Sequence, residues 1–466
     1  MQFPYAEVEF DRDGALVDPA QVTAAADLLR TSQATDVLVL AHGWNNDLPR
    51  ARNLYRALTD SMAAVRDDVP GAAGRAVAVV GVLWPSMRWA DEDDISGGAA
   101  STSGLPGQVS PAEPSLAGRI EEVVADRATA DRLKALVPEL ETSADARSAF
   151  LSALRGLLPA LVDDPRLADD GLLADDSEQP PLALVAGDAE DAFAAAGGPD
   201  TSLLEAPVVA QPGGGRGRRV QPVGAGGAAV VGPGGGFGAG SPAGSAVGLF
   251  FERARFLVAA RNLLNVTTFY TMKERAGTVG TAGVARLLDA LAAAAPQVRR
   301  HLAGHSFGAR VVSAAATRHR PIHSITLLQA AFSHHGFGRD FRGGSSRGAF
   351  RAVLDPGPLA GPLVVTHTAN DRAVGLAYAL ASRLARQSGA GVGGPDDLYG
   401  GLGCNGALKT PEAVHPPAEL QDVGSAYRFF AGKVHNLKAD RFVRGHSDVT
   451  SRQVAHALLW AMTTTT

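Results

Sequence analysis

The chain has one cysteine, Cys404, in 466 residues. A single cysteine cannot close an intrachain disulfide, so the fold does not depend on an oxidising compartment. Lysine is also scarce. Only Lys134, Lys273, Lys409, Lys433 and Lys438 occur, so 38 of the 43 basic residues are arginine, a skew that reads as genome composition rather than mechanism. Positive charge is not in excess, since the formal net charge is −5. Binding along a nucleic-acid backbone needs a basic surface, so nucleic acid is excluded as the main partner. No apolar run reaches the roughly 18 residues that a membrane-spanning helix needs, and no transmembrane segment is expected. Residues 1–10 have neither a basic start nor an apolar centre, so no signal peptide is expected and the cytoplasm is the expected location.

What the chain has in surplus is glycine and proline, 54 and 28 residues. The surplus is local. Residues 205–248 hold 15 Gly and 5 Pro in 44 positions. Such a segment cannot bury enough apolar surface to offset its ordering entropy, and disorder is expected there. Just before it, residues 161–200 carry 11 acidic residues against one arginine, most simply a solvated stretch. Residues 116–161 show helical spacing of apolar side chains. Length alone, at roughly 150 residues per domain, suggests about three domains. Setting residues 91–249 aside as an insertion or lid leaves 307 residues, enough for one domain split into 1–90 and 250–466.

The two flanking parts alternate strand and helix patterns. Residues 5–10 read as a short strand, and Asp18-Pro19 reads as a helix start with Asp18 as N-cap. The runs 36–41 (DVLVLA) and 76–83 are continuously apolar, as in strands buried on both faces. A helix is expected from Asp47. After the insertion, helices are expected at 250–270, 281–295, 309–317, 373–386 and 449–462. Strands are expected at 298–303, 322–330, 363–367 and 427–437. Strands alternating with helices predict a mostly parallel α/β sheet with helices on both faces.

The chemistry is concentrated in Gly304-His305-Ser306-Phe307-Gly308. A Gly-x-Ser-x-Gly between strand and helix has the form of a nucleophile elbow. The serine sits on a strained turn, and the glycines let strand and helix approach. The helix N-terminus beneath Ser306 favours negative charge developing there. His42-Gly43-Trp44 follows an early buried strand, where such enzymes place half of an oxyanion hole. One N–H would come from Gly43 or Trp44 and the other from Phe307, the residue after the nucleophile. Asp371 follows the strand 363–367, and His446 follows later still. The order Ser306, Asp371, His446 is the one that accompanies a nucleophile elbow, with His446 as base and Asp371 as its orienting acid.

These motifs resemble the α/β-hydrolase superfamily, and within it a group of bacterial serine hydrolases with a Gly-His-Ser-x-Gly elbow. The resemblance rests on His42-Gly43-Trp44, Trp84-Pro85-Ser86, Gly304-His305-Ser306, the segment 370–386 and the tail HNLKAD…HSDV at 435–449. It covers about residues 1–90 and 250–466. It implies the α/β-hydrolase fold and a serine esterase-type activity on a small-molecule or lipid-like ester.

Each residue also has a plainer reading. His435 is the rival base, but it reads as the end of a strand, whereas His446 sits in a loop before the last helix. Asp355 reads as a turn residue, Asp448 as the N-cap of the last helix, and Asp371 could itself cap a helix. His305 would point away from the site, and His334-His335 could line it. Phe250, Phe251, Phe256 and Leu257 read as a core helix or as a lid face. Cys404 has no fixed basic neighbour and reads as a small apolar residue rather than a nucleophile. No metal-ligand spacing and no phosphate loop is present, so no cofactor or metal is expected. Ser306 in place of Asp disfavours a dehalogenase. The leading expectation is a serine hydrolase cleaving an ester or thioester through an acyl-enzyme. The alternative is a hydrolase-fold interaction module whose insertion binds a partner and whose site is idle.

Overall fold

The computed structural model describes residues 2–44, 48–86, 116–124, 126–157, 188–196, 243–319, 321–341, 346–355, 359–371, 374–375, 395 and 400–465. The expected helix start at Asp47, the acidic stretch up to residue 187, the Gly/Pro-rich segment up to residue 242 and most of the expected helix 373–386 lie outside these residues.

Among the described residues eight strands form one sheet. They are β1 (Tyr5–Glu9), β2 (Asp36–Ala41), β3 (Val77–Leu83), β4 (Arg299–His305), β5 (Ser324–Leu328), β6 (Leu363–His367), β7 (Ala418–Glu419) and β8 (Val434–Lys438). Their order is β1-β3-β2-β4-β5-β6-β8-β7, and every pairing is parallel. β2 shows why the apolar runs do not alternate with polar residues. Val37, Val39 and Ala41 enter one core, Leu38 and Leu40 the other, so both faces of the strand are dry. Parallel neighbours need long crossovers, and helices supply them. α1 (Ala20–Thr31) follows β1, and α2 (Leu48–Ala64) follows β2. β2 pairs with β4 across the whole insertion, with Ala41 opposite Gly304. Residues from both sides of the insertion therefore share one sheet.

Between β3 and β4 the described residues are helical: α3 (Leu116–Val123), α4 (Arg127–Leu136), α5 (Ala144–Arg155), α6 (Ala189–Ala196) and α7 (Ala243–Thr278). Of the acidic stretch 161–200, residues 188–196 are described, and these are not simply solvated. Phe193 is buried, with ring centroids 6.3 Å from both Phe150 and Phe256, and the Arg147 guanidinium lies 4.2 Å from the Phe256 ring. The small, buried Ala192 and Ala196 beside Phe193 let α6 pack closely despite its acidic first turn. A second correction concerns 243–295. Disorder is expected up to residue 248, followed by two helices. Instead α7 runs from Ala243 into a π-helical turn, Val279–Val284, and then α8 (Ala285–Ala294). No proline interrupts this stretch. Gly280 is needed there because a Cβ would lie 2.4 Å from the Val311 carbonyl oxygen. Close packing thus outweighs the helix-weakening effect of glycine. α9 (Phe307–Ala316) and α11 (Arg452–Thr463) complete the cover, with the single turn α10 (Leu402–Asn405) between them in sequence. The N-cap of α11 is Ser451, whose hydroxyl accepts from Val454 N–H at 3.3 Å, and not Asp448. Asp448 instead accepts from Arg444 N–H at 3.1 Å. Among the described residues no helix is long and apolar enough to cross a membrane.

A charged cluster closes the amino ends of the strands. Asp36 is fully buried and accepts from Arg75 at 2.6 Å, Arg299 at 3.1 Å, His301 at 3.0 Å and Thr35 at 2.6 Å. Ser324 Oγ lies 2.7 Å from His301 Nδ1, and Arg75 also reaches the Thr463 and Thr465 carbonyls. Burial opposes the Asp36 charge. The His301 and Thr35 hydrogen bonds and the Arg75 charge outweigh it, holding the carboxyl well below its ordinary range. β2, β4, β5 and the chain's last residues are thereby clamped together.

Candidate active site

β4 ends in His305, and α9 begins at Phe307. Between them Ser306 has φ 57° and ψ −123°, a left-handed conformation that costs an ordinary residue about 1–3 kcal/mol. Two contacts hold it there. Ser306 N–H donates to the Leu328 carbonyl at 3.0 Å, and Ala331 N–H donates to the Ser306 carbonyl at 3.2 Å. The flanking glycines are sterically required. A Cβ on Gly304 would lie 2.3 Å from the Gly308 carbonyl oxygen, and one on Gly308 would lie 2.1 Å from that of Ala41.

Asp371 and His446 come from loops after β6 and β8. His446 Nε2 lies 2.8 Å from Ser306 Oγ, and its Nδ1 lies 2.9 Å from Asp371 Oδ2. A carboxylate only accepts, so Nδ1 carries the proton and Nε2 accepts from the serine hydroxyl. Asp371 is 1% exposed. Its other oxygen accepts from Val374 N–H at 3.1 Å, the side-chain bond to a backbone N–H three residues on that a helix cap makes. The two loops are tied by Asp440. Its carboxylate accepts from Thr368 Oγ1 at 2.7 Å and Ala369 N–H at 3.1 Å, and Asn370 donates to the Asp440 and Val443 carbonyls at 3.1 and 3.0 Å. Asp440 stands in the tail motif HNLKAD, the one signal in the sequence that could have singled it out.

Gly43 packs directly on the serine, for a Cβ there would lie 2.6 Å from Ser306 Cβ. The loop that carries it is braced from below. Tyr55 Oη accepts His42 N–H at 2.9 Å and donates to the Val82 carbonyl at 2.5 Å. Trp84 Nε1 donates to the His42 carbonyl at 3.0 Å, and the two rings stack at 5.6 Å. Burial pushes the His42 imidazole down to about 4, so it is neutral near pH 7. Phe307, the first residue of α9, lies across from this loop, its ring 6.0 Å from that of Trp44. First-turn N–H groups have no partner four residues back in their own helix and carry the positive end of its dipole.

No family model, curated protein or solved structure matches this chain.

The remaining candidates are placed elsewhere. His435 lies within β8 opposite Val364, and its Nε2 accepts from Phe430 N–H at 2.9 Å. Burial lowers its pKa. Asp355 accepts from Arg339 at 2.7 Å and from Arg347 and Arg351, away from Ser306 in its bonding. His334 and His335 are buried and bond each other at 3.0 Å between their Nε2 atoms, with Asn405 on His334 at 3.1 Å. Cys404 donates to the Asp371 carbonyl at 3.1 Å. Burial and then the Asp371 charge push its thiol pKa up, which removes any nucleophilic character near pH 7. His305 does not point away from the site. Its Nε2 lies 2.8 Å from the His446 carbonyl oxygen, because the β8–α11 loop folds back over the end of β4. Among the described residues no group of three or more His, Cys, Asp or Glu is placed to hold a metal.

Proposed function

We propose that this chain is a serine hydrolase of the α/β-hydrolase fold, cleaving a carboxylic ester or thioester through an acyl-enzyme intermediate. One observation carries the reading. At a strained turn on the carboxyl end of a parallel sheet, Ser306 Oγ bonds His446 at 2.8 Å, and His446 bonds buried Asp371 at 2.9 Å. The nucleophile after β4, the acid after β6 and the base after β8 support the fold assignment.

Ser306 Oγ attacks the acyl carbon while its proton passes to His446 Nε2. The carbonyl electron pair moves onto oxygen, and the oxyanion is met by N–H groups of Phe307 and of Gly43 or Trp44. Asp371 holds the tautomer and stabilises the imidazolium. Collapse breaks the bond to the leaving alkoxide or thiolate, which takes the proton from His446. A water then loses its proton to His446 and attacks the acyl-Ser306 ester, and Ser306 leaves with the proton returned. The partly exposed Trp44 ring, backed by the buried Phe307 ring 6.0 Å away, puts apolar surface beside the candidate donors, which suits a small-molecule or lipid-like acyl group.

A fluorophosphonate probe tests the reading. The wild type is expected to label, and Ser306→Ala is expected to lose labelling and about 10⁶-fold in kcat on an activated ester. A folded wild type that does not label overturns it.

A further inference from the structure

We propose that His305, the residue before the nucleophile, is a positioning residue that fixes the main chain of His446. The inference rests on the serine-hydrolase reading and extends it to how the base is held.

His446 sits in a loop with no regular backbone bonding, between β8 and α11. That loop bonds itself through Arg444 N–H to Asp448 and Asp448 N–H to the Gly445 carbonyl. These bonds close the loop, and the Thr368 and Asn370 bonds to the Val443 carbonyl tie its start to the loop after β6. His305 reaches the main chain of His446 itself from the sheet. It is the last residue of β4, 6% exposed, with Nε2 2.8 Å from the His446 carbonyl oxygen and ring centroids 4.8 Å apart. A carbonyl only accepts, so His305 Nε2 carries the proton and donates. Its Nδ1 is then a bare acceptor, buried and without a hydrogen-bond partner. Leaving a buried polar atom unsatisfied costs free energy. Phenylalanine or leucine would fill the same space without that cost, so packing alone does not account for an imidazole here.

The arrangement has a mechanical consequence. Ser306 and its neighbour His305 leave the same rigid strand end. One supplies the nucleophile, and the other holds the backbone of the base. The nucleophile and one anchor of the base are thus set from the same point of the sheet. Burial, then the nearby His446, push the His305 ring down to about 3, so it stays a neutral donor while His446 gains and loses its proton.

The test compares donor-free and donor-bearing variants of the full chain. His305→Phe keeps the ring without the donor, and His305→Leu serves if the Phe variant does not fold. His305→Gln returns an N–H near the Nε2 position. With a saturable fluorophosphonate, the donor-free variant is expected to lose about 10²-fold in the inactivation rate constant with its half-saturation concentration unchanged. The Gln variant is expected to recover most of that loss. In parallel, the low-field proton NMR signal of the His446 Nδ1–H bonded to Asp371 is expected in the wild type and the Gln variant, and to broaden in the donor-free one. A folded donor-free variant with wild-type rate and signal overturns the proposal, as does a folded Gln variant that fails to rescue. If the wild type itself does not label, the hydrolase reading falls, and the NMR comparison alone decides whether His305 holds His446.

Discussion

His435 and His446 have the same side chain and opposite situations. His446 presents one nitrogen to a hydroxyl and the other to a buried carboxylate, whereas His435 is spent on the backbone N–H of Phe430, in the loop before β8, and a ring contact 4.9 Å from Phe429. His446→Ala is therefore expected to abolish fluorophosphonate labelling with little change in thermal stability. His435→Ala is expected to label as the wild type does but to unfold at lower temperature, since Phe430 N–H loses its acceptor, a deficit of about 1–3 kcal/mol. The reverse pattern would reassign the base to His435. Asp371 serves two bonds at once, so its replacement would mix a catalytic with a capping effect and is the poorer test.

At the level of the element, the elbow depends on backbone approach rather than on side-chain chemistry. A strand, a turn and a helix meet where Gly304 and Gly308 leave room for main-chain carbonyls. Gly308→Ala would force its new methyl onto the Ala41 carbonyl, with backbone on both sides and nowhere to yield. The expected result is a loss of several kcal/mol, read as a large fall in the urea midpoint with an unchanged slope, as for other overpacked sites. A variant as stable as the wild type would show that β2 and α9 can separate freely. The π-helical turn Val279–Val284 belongs to the same packing. Gly280 faces the Val311 carbonyl on α9, so the helix leaving the insertion rests directly on the helix behind Ser306.

On the scale of the whole molecule, the two ends of the sheet have different tasks. The carboxyl end holds the candidate site, and the amino end holds the clamp around Asp36. Replacing Asp36 by Asn strands Arg75 in a buried position and is expected to cost about 3–5 kcal/mol at pH 7. The sign of its pH dependence follows from the depressed carboxyl. Its stabilisation is fully present above the unfolded value near 4 and is lost as pH falls below it, because the unfolded chain then takes up the proton first. The stability gap between wild type and Asp36→Asn, measured by urea unfolding, should therefore narrow from about pH 4 downward. A gap that is constant over that range would show that Asp36 acts by packing and not by charge.

Much of this was legible along the chain, for a physical reason. Continuous apolar runs, turn residues and the Gly-x-Ser-x-Gly spacing report on groups a few residues apart, where period and sterics act directly. β2, β3, β4 and β6, the elbow, and Asp371 and His446 after their strands could be read in this way. The tertiary structure alone decided what depends on strand order and register. It brought Asp440 onto the Thr368 loop and the His446 carbonyl onto His305. It also turned an expected loop and two helices at 243–295 into one helical run that packs on α9. Those contacts join residues far apart in the chain, and only the parallel register that sets Ala41 beside Gly304 and His305 beside Leu328 brings them within reach.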